Sequence, residues 1–195
     1  MMRGGRRNGM ELGVTAAGRH ANLILVGFMG TGKSSVGRQV AAWLGREFLD
    51  FDTALEARFG RPVARIFAEE GEAVFRAAEA DLCRSLPPDA GLVVATGGGV
   101  VVPPANRDAL HACGIVVCLT ADPATLTRRL LAEGHGKRPM LGDQPEAAVT
   151  RLLASRAAAY AAIPLQVDTT GLDVDTVAER VLAVYTAQVK ERETS

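Results

Sequence analysis

The stretch that most limits what this chain can fold into is an apolar run that passes directly into a glycine-rich loop and then a helix. Leu23-Ile24-Leu25-Val26 is continuously apolar, the pattern of a strand covered on both faces. Gly27-Phe28-Met29-Gly30-Thr31-Gly32-Lys33-Ser34 follows, and then Ser35. Val36, Val40, Trp43 and Leu44 recur at helical spacing until Gly45 stops the pattern. A strand buried on both faces needs a layer of helices on each side, so the run already points to a parallel α/β sheet.

The rest of the chain repeats this alternation. Phe48-Leu49-Asp50, Leu92-Val93-Val94-Ala95, Ile115 to Leu119 and Leu165-Gln166-Val167 read as further short strands. Thr53 and Glu56 have the spacing of a capping box opening a helix that ends near Gly60. Another helix is expected from about Glu72 to Leu86, with Phe75, Leu82 and Leu86 along one face. A last one begins after Asp173 and buries Val177, Val181, Val184 and Tyr185. The expected class is a three-layer α/β/α fold on a five-stranded parallel sheet, with ligands beyond the carboxyl ends of the strands.

Composition narrows the function. The 195 residues suffice for one well-buried domain, expected over 21–190. Lys plus Arg and Asp plus Glu both number 22, which argues against a general nucleic-acid binder. No apolar stretch approaches the roughly 18 residues needed to span a bilayer. Cys83, Cys113 and Cys118 lack metal-ligand spacing, and Cys118 lies in an apolar run, so free thiols in a reducing cytoplasm are expected. Residues 1–20 are rich in Gly and Arg without an apolar core segment. They read as a disordered tail or as sequence upstream of a true start at Met10.

The loop from Gly27 to Ser34 carries the clearest chemistry. Its glycines allow backbone N–H groups to turn inward around phosphate oxygens, and the following helix adds the positive end of its dipole. Gly30, Thr31, Gly32, Lys33, Ser34 and Ser35 are the expected nucleotide-binding residues, for ATP or GTP, with Lys33 reaching the β- and γ-phosphates. Ser34 is placed to ligate Mg²⁺. A glycine-rich turn that happens to carry a lysine is the competing view, and the strand–loop–helix context weighs against it.

The acceptor side is more ambiguous residue by residue. Asp50-Phe51-Asp52 closes the second strand, where alternation would put both carboxylates on one face. They read either as a metal and polyol site or as a solvated strand end with a helix cap. Arg76 has Glu79 three residues on, able to brace its guanidinium, although such pairs are usually surface ion pairs. Thr96-Gly97-Gly98-Gly99 follows an apolar strand and reads as a close-approach loop or as a mobile one. Gly134-His135-Gly136-Lys137-Arg138-Pro139 is a polar, glycine-rich break between helical stretches.

In this order and spacing, GFMGTGKS, DFD, FR with its Glu, and TGGG resemble the shikimate kinase family, from about Asn22 to Val184. The resemblance implies a P-loop kinase fold with a mobile lid at about 131–145. It also implies that Asp52, Arg76 and the glycines Gly97, Gly98 and Gly99 contact shikimate, and that Asp50 helps hold Mg²⁺ through a water beside Ser34. Arg138, of an Arg-Pro pair, would meet the ATP phosphates. Arg156, with Tyr160 after it, would be a second partner of the shikimate carboxylate. Lys33, Asp52 and Arg138 would then carry the catalysis. Near the fifth strand, Asp168-Thr169-Thr170-Gly171-Leu172 lacks the basic residue that the family often offers to adenine, and Arg129 is the substitute. The implied substrates are ATP and shikimate, in a cytoplasmic monomer with no nucleic acid and no membrane. A gluconate- or nucleoside-type kinase and a silent binding module are the rivals. A panel of acceptors separates the first, and ATPase activity with and without shikimate the second.

Overall fold

The computed structural model describes residues 21–132 and 144–194. The strands are β1 (Asn22–Gly27), β2 (Phe48–Asp50), β3 (Val93–Ala95), β4 (Gly114–Thr120) and β5 (Leu165–Asp168). The helices are α1 (Lys33–Leu44), α2 (Phe51–Phe59), α3 (Val63–Glu69), α4 (Glu72–Ser85), α5 (Pro104–Cys113), α6 (Pro123–Ala132), α7 (Pro145–Ala161) and α8 (Val174–Thr194). The strands form one five-stranded sheet in the order β2-β3-β1-β4-β5, and every pairing is parallel. The expected class therefore holds. So do all five strands, to within a residue or two at their ends.

Side-chain alternation along the strands divides the core into two layers. Ile24, Val26, Val94, Val116 and Cys118 face a cluster completed by Cys83, Leu110, Leu126, Val149 and Tyr160 from α4, α5, α6 and α7. Leu23, Leu25, Val93, Ile115, Val117 and Leu119 face the other way, onto Val36 and Val40 of α1 and Val177, Val181 and Tyr185 of α8. A satellite cluster of Leu55, Ile66, Phe75 and Ala78 joins α2, α3 and α4 beyond the sheet edge. The strand polarity brings Gly27, Asp50 and Ala95 to the same end of the sheet, because Asp50 pairs with Ala95 and Leu25 with Ala95 in the ladder.

Several local expectations fail for identifiable reasons. Trp43 is 42% exposed, whereas Val36, Gly37, Val40 and Ala41 form the buried stripe of α1. Its ring lies off that stripe, which the smaller neighbours already fill. The Thr53–Glu56 capping box does not form. Asp50 caps α2 instead, its Oδ1 accepting from Asp52 N at 3.0 Å and Thr53 N at 3.4 Å. Glu56 turns to the next helix and accepts from Val63 N at 3.0 Å. Strand alternation does not place Asp52 either, since β2 ends at Asp50 and Asp52 sits in the first turn of α2. Helices α3 and α5 were not anticipated: α3 is short, and α5 starts on consecutive prolines that resemble a loop in sequence. Nearly all of the expected lid, including Arg138 and Pro139, lies outside the described residues, as does the 1–20 tail.

Candidate active site

The phosphate side is built from one continuous stretch. Gly27 ends β1, and Gly32 forms the N-cap of α1 in the left-handed region, at φ 90°. With no side chain, Gly32 leaves the first amides of α1 uncapped and directed out of the helix end, where an anion would be favoured. Thr31 is buried, and its hydroxyl donates to the Phe28 carbonyl at 2.8 Å, closing the turn. Lys33 is only 8% exposed, and its Nζ donates to the carbonyls of Gly27 and Phe28 at 2.9 Å each. The ammonium is thus drawn back over the loop that its own backbone helps to form. Ser35 is exposed on the first turn of α1.

Ser34 Oγ donates to Asp50 Oδ2 at 2.6 Å, so the end of β2 is tied to the phosphate loop. Asp50 therefore serves two purposes, since its other oxygen is the helix cap. A hydroxyl and a carboxylate side by side are hard oxygen donors. They suit Mg²⁺, which takes few protein ligands and completes its octahedron with phosphate oxygens and water.

Arg129 of α6 closes the far side of this loop. Its Nη1 donates to the Gly30 carbonyl at 3.2 Å and Thr169 Oγ1 at 3.0 Å, and its Nη2 to the Thr169 carbonyl at 2.8 Å. The guanidinium joins the phosphate loop to the turn after β5. Thr169, buried and blank as a motif, had no signal in the sequence that marks this role.

The acceptor side is assembled from four separate segments. Arg76 projects from α4, with Nη1 donating to Glu79 Oε2 at 2.7 Å and Nη2 to Glu72 Oε1 at 3.0 Å. Its guanidinium carbon also lies 5.6 Å from the ring centroids of both Phe67 and Phe75. Burial works against its charge, but Glu79 and then Glu72 outweigh it and raise its affinity for the proton. Glu79 is 1% exposed, and its Oε1 has no hydrogen-bond partner among the described residues. Desolvation pushes its carboxyl above the usual range, opposed by Arg76 and Arg156 and assisted by Asp52. The expected ion pair is therefore no surface pair: one of its members is inside the protein.

The loop after β3 supplies the backbone between these charges. A Cβ added to Gly97 would collide with Glu79 Oε1 and lie 3.3 Å from Asp52 Oδ1. At Gly99 it would meet Arg76 Nη1 at 2.5 Å, and at Gly98 it would lie 3.3 Å from Met29 N and 3.6 Å from Arg156 Nη1. Glycines suit this loop because its main chain passes close to Arg76, Glu79, Asp52, Arg156 and the phosphate loop, tightly at Gly97 and Gly99 and less so at Gly98. Arg156 of α7 is 8% exposed, and its guanidinium stands 5.9 Å from the Phe28 ring. The structure thus brings Asp52, Arg76, Gly97, Gly98, Gly99 and Arg156 together beside Lys33, Ser34 and Asp50. It also adds two members that the sequence did not assign: the buried position of Glu79, and Tyr160, whose hydroxyl donates to the Gly98 carbonyl at 2.6 Å. The spacing of Arg156 and Tyr160, four residues apart on one helix face, was the available signal for the second.

Comparison with known proteins bears on the family and the fold. The shikimate kinase family profile matches residues 29–186. The chain is 49% identical over 148 residues to a shikimate kinase of Desulforudis audaxviator, covering 76% of this chain and 77% of that one. It is 45% identical over 170 residues to a shikimate kinase of Halorhodospira halophila, covering 86% and 95%. Among solved structures, a shikimate kinase from Acinetobacter baumannii in complex with shikimate superposes with a TM-score of 0.80 at 35% identity, covering 86% of this chain and 94% of that one. The chain belongs to the shikimate kinase family.

Proposed function

We propose that this chain transfers the γ-phosphoryl group of ATP to the 3-hydroxyl of shikimate, giving 3-phosphoshikimate and ADP. The observation that carries the reading is the placement of two guanidiniums, Arg76 and Arg156, around a glycine loop so near the phosphate loop that a Cβ on Gly98 would lie 3.3 Å from Met29 N. A carboxylated polyol fits that arrangement. The guanidiniums offer charge-assisted donors to its carboxylate, the bare backbone of Gly97, Gly98 and Gly99 allows close approach, and Asp52 accepts from its hydroxyls. The relative bearing shikimate in its structure supports the same acceptor.

On the nucleotide side, the loop amides and the N-terminus of α1 bind the phosphates, with Gly30, Thr31, Gly32, Ser34 and Ser35 around them. Lys33 exchanges its carbonyl partners for β- and γ-phosphate oxygens and offsets the charge on the transferring group. Ser34, and Asp50 through a water, would hold Mg²⁺, which when bound supplies charge neutralisation between the phosphates. Arg129 holds the loop through the Gly30 carbonyl, and in this reading it is also the residue assigned to the adenine. Arg138 is assigned to the phosphates by the family resemblance alone. Asp52 orients the acceptor hydroxyl for in-line attack; a loose transition state asks little of a base. The reading includes a cytoplasmic monomer without nucleic-acid or membrane partners. Among the described residues no helix is long and apolar enough to cross a membrane, and the three thiols are unpaired and buried. Sedimentation at assay concentration tests the monomer.

ADP release measured with and without shikimate tests the function directly. Strong dependence on shikimate, with no response to gluconate or nucleoside monophosphates, is the expected result. Equal turnover with any of these acceptors would overturn the assignment.

A further inference from the structure

The glycine loop has a rear side, and side chains hold it there. Asn106 Nδ2 donates to the Val100 carbonyl at 2.9 Å, and Arg107 Nη1 to the carbonyls of Val101 and Val102 at 2.7 and 3.0 Å. These bonds fix the loop's exit. At its centre stands a different anchor, the Tyr160 hydroxyl on the Gly98 carbonyl at 2.6 Å. Tyr160 is 6% exposed, and its ring belongs to the core cluster beneath the loop, with Cys118, Val116 and Ile163. Burial raises the phenol further from ionisation, with the Arg156 charge opposing, so it remains a neutral donor at physiological pH.

From this geometry we infer that Tyr160 is a positioning residue for acceptor binding: its hydroxyl fixes the Gly98–Gly99 peptide of the loop and registers it against Arg156. The Gly98 carbonyl and the Gly99 N–H belong to one planar trans peptide and point in opposite directions, so anchoring the first orients the second. Three successive glycines have little torsional preference of their own, and the anchor supplies what the sequence withholds. Tyr160 and Arg156 share one face of α7, which therefore delivers the guanidinium and the loop anchor as a rigid unit. The phenol's bond is to the glycine loop, and the charge that acts on it most is that of Arg156, so its effect falls on the acceptor.

The inference rests on shikimate as the acceptor, and the test keeps the two ideas apart. Tyr160→Phe retains the ring and removes only the donor. The expected result is a shikimate KM raised about three- to tenfold, the usual effect of one hydrogen bond, with kcat and the ATP KM within about twofold of the native enzyme. In the ligand-free protein, the amides of residues 98–100 should exchange faster in the variant while those of β1 and β4 do not change. A lowered melting temperature with an unchanged shikimate KM, or unchanged exchange in the loop, overturns the positioning role. If native ADP release does not depend on shikimate, the acceptor reading fails, and the exchange comparison still decides whether the phenol holds the loop.

Discussion

The two halves of the site are built in opposite ways. The phosphate half centres on eight consecutive residues, Gly27 to Ser34, whose binding groups are mostly main chain and whose shape is set largely by local turns, with Asp50 and Arg129 tied to it from outside. The acceptor half draws Asp52, Arg76, Gly97 to Gly99 and Arg156 from α2, α4, the loop after β3 and α7, and depends on the whole fold for its register. Local construction makes the phosphate half robust and general. Assembly from distant segments makes the acceptor half specific, since each segment adds a constraint that an alternative substrate must also meet. The contrast predicts that damage to the first half strikes the chemical step for any acceptor, whereas damage to the second strikes affinity for one.

Lys33→Ala gives the largest expected effect. Losing one preorganised charge at the transferring group should lower kcat on the order of 10²–10³. Circular dichroism and the melting temperature should stay close to native, because the rest of α1 keeps its buried stripe of Val36, Val40 and Ala41. A kcat near the native value would mean that the loop is not where phosphoryl transfer takes place.

The same contrast explains what could be seen in the sequence. The phosphate loop was legible because its residues are adjacent and each glycine has a local reason to be there. The five strands were legible from continuous apolar runs such as Ile115 to Leu119, which only a doubly covered sheet accommodates. The acceptor half was not legible in that sense. Arg76 with Glu79 reads as a surface pair until α4 is seen to turn Glu79 inward to 1% exposure, and only family resemblance joined these residues to Gly97–Gly99 and Arg156. Strand alternation misplaced Asp52, since the chain leaves the strand at Asp50 and a helix turn carries Asp52. Trp43 misled because helical spacing names a stripe without its width.

Arg76→Ala sharpens the comparison from the other side. A charge-assisted pair to the carboxylate contributes in ground and transition states alike, so the shikimate KM should rise roughly ten- to a hundredfold with kcat much less affected. The ATP KM should stay within about twofold. Were the ATP KM to move instead, Arg76 would belong to the nucleotide half and the division drawn above would be wrong.

Gly97→Ala should have a smaller effect of the same kind. The new methyl would meet Glu79 Oε1, and Glu79 is held by Arg76 and buried, so the loop or the carboxylate must shift. A rise of about tenfold in the shikimate KM is expected, in line with a strained contact of 1–2 kcal/mol. An unaltered KM would show that the loop yields freely, contrary to the close packing seen around it.

The smallest effect is the most discriminating, because it depends on pH. Glu79 faces Arg76, Asp52 and Arg156, and desolvation holds its carboxyl above the ordinary value of 4.5. For an acid whose folded value is raised, the stability it contributes is fully present below the unfolded value and is lost as pH rises through the folded value. Binding runs the other way: only the carboxylate braces Arg76 with a charge-assisted bond, so the brace weakens as pH falls through the folded value. The shikimate KM of the native enzyme should therefore begin to rise on acidification while ordinary exposed carboxylates are still ionised. Glu79→Gln keeps the shape and an acceptor for Arg76 but cannot titrate. Its KM should be raised about fivefold near neutral pH, the difference between a charged and a neutral hydrogen bond, and should lack the early rise on acidification. If the variant and the native enzyme share one pH profile for the shikimate KM, the titrating group lies elsewhere, and Glu79 is an ion pair of the α4 core with no hold on the acceptor.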